Sequence, residues 1–80
     1  MSFDEFLQAL AAAIDGFDPV PLRPDSRLRE IPQWDSLAVL SATVLADIHF
    51  GAEVRGSEVM RCSTLGELHQ LFESRRASNG

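Results

Sequence analysis

The sequence contains no lysine; its seven cations are all arginines, set against twelve acids for a formal net charge of −5. A negative surface repels phosphate backbones, which bind through cationic neutralisation, and this argues against nucleic acid as a partner and for positive protein surfaces. A single cysteine leaves no intramolecular disulfide framework, and a cytoplasmic protein needs none. No apolar stretch approaches the roughly 18 residues that a membrane span requires. The N-terminus has no basic segment leading into an apolar run, so no signal peptide is expected. These absences point to a cytoplasmic protein without membrane insertion, and the chain is expected to be a monomer.

What is present is a short globular chain. Eighty residues make one domain near the lower size limit for a single core, and 45% hydrophobic content argues against disorder. Ser2 and Glu5 have the spacing of a capping box, with Met1 and Phe6 placed for a hydrophobic staple. Phe3, Phe6, Leu7, Leu10, Ala11 and Ile14 then share one helical face, and Gly16 supplies a stop. Prolines at 19, 21, 24 and 32 forbid a long helix from Gly16 to Trp34. Phe17, Val20, Leu22, Leu28 and Ile31 are spaced through this stretch as anchors, so it reads as a loop wrapped over the core.

A second helix is expected from Asp35 or Ser36 to Phe50, ended by Gly51. Leu37, Leu40, Val44 and Ile48 fall on one side of it; Val39, Ala42, Ala46 and Phe50 fall on the other. Four helices around one core bury only one side, and the smaller set, completed by Phe50, suits close packing. A short third helix is expected over residues 57–61. A fourth opens with the capping-box pair Thr64 and Glu67 and carries Leu65, Leu68, Leu71 and Phe72 on one face. Arg75 and Arg76 suit its C-terminal end. The expected fold is all-α: a small four-helix bundle of three main helices and one short one, with a long loop between helices one and two. Residues 1–74 form the domain and 75–80 a flexible tail.

Ser36, in "PQWDSLAVL", has three possible roles. It caps helix two, unless Asp35 does so and leaves it exposed in the first turn. As a nucleophile it lacks a small-residue elbow, and His49 and His69 lie far along the chain, so self-contained catalysis is not expected. As an attachment point it needs only an exposed hydroxyl at a helix N-terminus, where a phosphate ester is favoured. The neighbouring Asp35 would then help hold a divalent metal during transfer of the group.

The segment "WDSLAVL", followed by "HFGAEV" and "STLGEL", resembles the phosphopantetheine-attachment frame of acyl carrier proteins, and the resemblance covers nearly the whole chain. It implies a four-helix bundle that is not an enzyme and whose serine carries a phosphopantetheine arm bearing thioesters. By position it makes Ser36 the attachment site, Asp35 the flanking acid and Leu37 the apolar residue that modifying enzymes contact. The implied partners are a phosphopantetheinyl transferase and acyl- or aminoacyl-loading and biosynthetic enzymes. Asp25-Ser26 is an internal control, since Arg27, Arg29 and Pro32 follow it and no helix runs on; Ser26 reads as a turn residue.

The chain departs from the family in one respect. Carriers of general fatty acid synthesis display carboxylates along helix two, at the positions here occupied by Ala38, Ser41, Asp47 and Ile48. Only Asp47 is acidic, so the expectation shifts to a polyketide, peptide or other specialised pathway. Trp34, Leu37, Ser41, Val44, Asp47 and Ile48 are the expected partner-binding residues. Two alternatives stand beside this: a helical interaction module in which Ser36 only caps, and a housekeeping fatty acid carrier. Trp34 is also a candidate plug at a core edge. Cys62 reads as a small buried hydrophobe. His49, His69 and Cys62 lack zinc spacing, so no metal site is expected, and Gly51 and Gly56 read as turn glycines.

Overall fold

Local chemistry at the helix ends sets the architecture. The computed structural model describes residues 1–19 and 22–76, so the expected anchor Val20 and the "ASNG" end lie outside the described residues. Helix α1 spans Phe3–Ala13, and Ser2 and Glu5 form the expected capping box, each taking the other's backbone N–H. The helix stops at Ala13, before the glycine: Ile14 turns extended and buries its side chain, and Gly16, at φ 79°, makes the turn that follows.

Helix α2 spans Ser36–Phe50 and ends on Gly51 in the left-handed conformation at φ 60°. Helix α3 spans Gly56–Arg61, so Gly56 opens a helix and is not a turn residue. Helix α4 spans Leu65–Arg75 behind the Thr64–Glu67 capping box. The fold is all-α, a small bundle of three longer helices and one short one. No helix among the described residues is long and apolar enough to cross a membrane. Arg75, the last residue of α4, pairs with Glu58. Arg76 in turn pairs with Glu73 and lies 5.1 Å from the Phe50 ring centroid.

Phe6, Phe50 and Phe72 meet edge-to-face, with centroids 5.5–6.2 Å apart. They gather the start of α1 and the ends of α2 and α4 at one pole of the bundle. The His69 ring stacks on Phe6 there at 5.0 Å, and its Nε2 lies 3.0 Å from the Met1 carbonyl oxygen. The Met1 ammonium donates to Glu73 at 3.3 Å. Helices α2 and α4 therefore run parallel, and α1 runs antiparallel to both.

The long loop is sutured to the start of α4. Leu28 N–H donates to the Ser63 carbonyl at 2.9 Å, Leu65 N–H to that of Ser26 at 3.0 Å, and Gly66 N–H to that of Pro24 at 2.8 Å. These bonds satisfy backbone groups that a free loop would leave to water. Phe17, Leu28 and Ile31 are buried as anchors, Leu22 is half-buried, and a 3₁₀ turn forms over Leu28–Glu30. Ser26 is the expected turn residue, its Oγ accepting the Arg23 N–H at 2.9 Å.

Candidate functional site

The pole opposite the aromatic cluster carries Ser36. The loop approaches it through Ile31, which is buried and whose carbonyl accepts the Trp34 N–H at 3.0 Å. Asp35 is the N-cap of α2, in extended backbone, and its Oδ1 accepts the Ala38 N–H at 2.9 Å. Its carbonyl takes the Val39 N–H at 3.0 Å. Ser36 is the first helical residue, and it is exposed. Its hydroxyl makes no hydrogen bond among the described residues. Asp35 therefore does the capping, and the serine hydroxyl stands free at the positive end of a 15-residue helix.

A groove of about 700 Å³ opens beside the hydroxyl. Asp35, Ser36 and Val39 of α2 form one wall. Leu28 and Arg29 of the 3₁₀ turn and the segment from Met60 to Ser63 form the other, with Trp34 at the loop. Trp34 is half-buried against the core, so it plugs an edge and lines the groove at once.

Helix α2 divides as its two-sided pattern requires. Ala42, Ala46 and Phe50 are buried and Val39 is half-buried; Leu37, Leu40, Val44 and Ile48 are 72%, 60%, 50% and 70% exposed. Asp47 is exposed and Ser41 half-exposed on or beside that outer stripe. One residue of α2 departs from expectation. Ala38, expected on the outer face among the positions where carriers of general fatty acid synthesis display acids, is 1% exposed; Leu45, placed on neither side by its pattern, is also buried. An acid at 38 would face the core, so the comparison of outer-face charge rests on Ser41, Asp47 and Ile48 alone. The stripe continues toward α1, where Ala9, Ala12 and Ala13 face Leu40, Val44 and Ile48 across a shallow groove of about 370 Å³.

Cys62 is half-buried, not fully buried, and its thiol donates to the Glu58 carbonyl at 3.6 Å. Burial first, then the carboxylates of Glu67 and Glu58, push its pKa up and hold it as a thiol. His49 is exposed near the far end of α2 and His69 is locked at the aromatic pole, so neither shares the groove with Ser36. No group of three or more His, Cys, Asp or Glu among the described residues is arranged to hold a metal ion. The chain matches no protein-family model, no curated protein and no solved structure.

Proposed function

We propose that the chain is an acyl carrier protein, a cytoplasmic shuttle whose Ser36 bears a phosphopantetheine arm. One observation carries this reading: Asp35 caps α2, so Ser36 has no structural duty and its hydroxyl is exposed at a helix N-terminus. A phosphodiester there would meet the positive end of the helix dipole and the N–H groups of the first turn. The resemblance of "WDSLAVL" to the attachment frame of carrier proteins supports the same residue. The arm would carry acyl or aminoacyl intermediates as thioesters. Asp35 flanks the transfer site, and Leu37, 72% exposed, is a contact for a phosphopantetheinyl transferase.

The outer face of α2 supports a specialised pathway over general fatty acid synthesis. Leu37, Val44 and Ile48, with Ser41 between them, present apolar surface beside the arm, and Asp47 is the one acid on the helix. Enzymes that load or process the cargo would read this stripe by burial more than by charge.

The test is intact mass after incubation with coenzyme A and a phosphopantetheinyl transferase. The mass should rise by one arm, and peptide mapping should place it on Ser36. Modification at Ser26, or no modification with several active transferases, overturns the reading and leaves a helical interaction module.

A further inference from the structure

We propose that the groove beside Ser36 selects cargo ending in a carboxylate, with Arg29 and Arg61 receiving the anion and Trp34, Val39 and Met60 covering its apolar body. This rests on the reading of Ser36 as the arm's attachment point for the cargo's identity, but not for the groove's chemistry.

The argument starts from charge. The chain is acidic overall, at −5, yet the groove bordering Ser36 is lined by two arginines and one aspartate. That carboxylate, Asp35, is engaged by the Ala38 N–H. Arg29 and Arg61 are exposed, and neither has a carboxylate within ion-pair distance among the described residues. Arg61 also borders an adjoining hollow with Glu58 and Glu67, whose charges are felt at Cys62 but whose oxygens are held by other donors. Glu58 binds Arg75 and accepts the Arg55 N–H at 3.2 Å, and Glu67 accepts the Ser63 and Thr64 N–H groups at 2.6 and 3.3 Å. The two arginines are thus the uncommitted charges of the cleft, and a guanidinium matches a carboxylate with two parallel hydrogen bonds.

The remaining lining gives the ligand its body. Leu28 and the half-buried Trp34 and Val39 offer apolar surface, and Met60, 72% exposed, offers a pliable side chain at the lip. A ligand with a short hydrocarbon stem and a terminal carboxylate satisfies both halves, whereas a plain alkyl chain leaves the guanidiniums unmatched. Ser36 belongs to the same lining, so an arm attached to it would begin in the groove that holds the cargo.

The experiment compares two six-carbon thioesters that differ only at the far end, adipoyl- and hexanoyl-pantetheine. Each is titrated as a free compound onto the Ser36→Ala chain and followed by the Trp34 indole and Met60 methyl NMR signals. Adipoyl-pantetheine should bind more tightly. Arg29→Ala and Arg61→Ala should each weaken it by about fivefold, the scale of an exposed ion pair, and leave the hexanoyl compound unchanged. Raising salt should narrow the difference between the two ligands. Equal binding of the two, binding by neither, or indifference to both arginine changes overturns the proposal. Because the thioesters are free, a failure of Ser36 to accept an arm would count against the carrier reading and not against the groove.

Discussion

The Asp35 carboxylate accepts the Ala38 N–H at 2.9 Å, so the acid and not the adjacent serine caps helix α2. The two members of the acid-serine pair therefore have separable duties. Ser36→Ala should abolish loading from coenzyme A while leaving the thermal midpoint nearly unchanged. Asp35→Ala should cost about 1 kcal/mol through the lost cap, a fall of about 4–8 °C in a domain of this size. Intact mass and a thermal melt on each variant check both. A Ser36→Ala protein that melts as early as Asp35→Ala would show the serine to be structural.

The stripe of Leu37, Leu40, Val44 and Ile48 leads to a prediction about partners. Each of these side chains contributes on the order of 1.5–3 kcal/mol when fully covered. Val44→Asp should weaken binding to a cognate enzyme strongly, and Asp47→Asn only slightly. Affinity should fall modestly with salt. The reverse ranking in a binding titration would mean that charge, not burial, governs recognition.

Two helical glycines should respond in opposite directions to alanine. A Cβ at Gly66 would stand 2.9 Å from the Pro24 carbonyl oxygen, the same oxygen that accepts the Gly66 N–H at 2.8 Å. The loop would have to shift, and we expect Gly66→Ala to destabilise by about 1–3 kcal/mol, more than the helix-propensity gain of up to ~1 kcal/mol. At Gly56 the nearest atom is Val39 Cγ1 at 3.5 Å, an ordinary contact. Gly56→Ala should stabilise by about 0.5 kcal/mol. Urea denaturation of the two variants separates the cases.

Acid should loosen the bundle through a few carboxylates. The Arg75 guanidinium, with the Arg55 N–H, holds Glu58 below the usual glutamate range; Arg76 does the same to Glu73, and the Ser2 N–H to Glu5. A carboxylate depressed in the folded state stabilises above its unfolded pKa and loses that contribution as pH falls through the folded value. The melting temperature should hold from neutral pH down to about 4.3, the unperturbed glutamate value, and then decline. Glu58→Gln should flatten the decline; an unchanged acid limb would remove the Glu58–Arg75 pair from the account.

Cys62 should alkylate slowly. Its pKa is raised by burial and by Glu67 and Glu58, so little thiolate exists at neutral pH. Iodoacetamide should react more slowly with the folded chain than with a free cysteine peptide, and unfolding in urea should remove the difference. Equal rates would mean that the folded surroundings do not restrain the thiol.

The elements legible in the sequence are those written in local chemistry. Ser2 with Glu5, Thr64 with Glu67, Asp35 before the serine and Gly51 after Phe50 each satisfy helix-end groups within a few residues, and each stands where its spacing placed it. Burial along α2 was harder, because a helix apolar on both sides carries no periodic signal for the core side. The bundle around it decides: Ala38 went the other way from its expected face, and Leu45, which the pattern placed on neither side, is buried. The groove at Ser36 was illegible for a related reason. Its walls come from Leu28–Arg29, Trp34–Val39 and Met60–Ser63, joined by loop-to-α4 hydrogen bonds that no local spacing encodes. Ser36 itself was readable because both its cap and its helix are adjacent in the chain.

The Met1 ammonium on Glu73 and the Arg76 guanidinium over Phe50 bring both ends of the described chain to the aromatic pole. Helix α2 rises about 1.5 Å per residue, so its fifteen residues set Ser36 roughly 20 Å from that pole. A fluorophore, a surface anchor or a fused domain joined directly at residue 1 or residue 76 would therefore start on the side away from the serine. A chain tethered to a support at residue 1 would turn Ser36 toward the solution. The same adjacency makes the fold a candidate for circular permutation, with a short bridge from residue 76 to residue 1 and new ends opened at the exposed turn of Asp15 and Gly16.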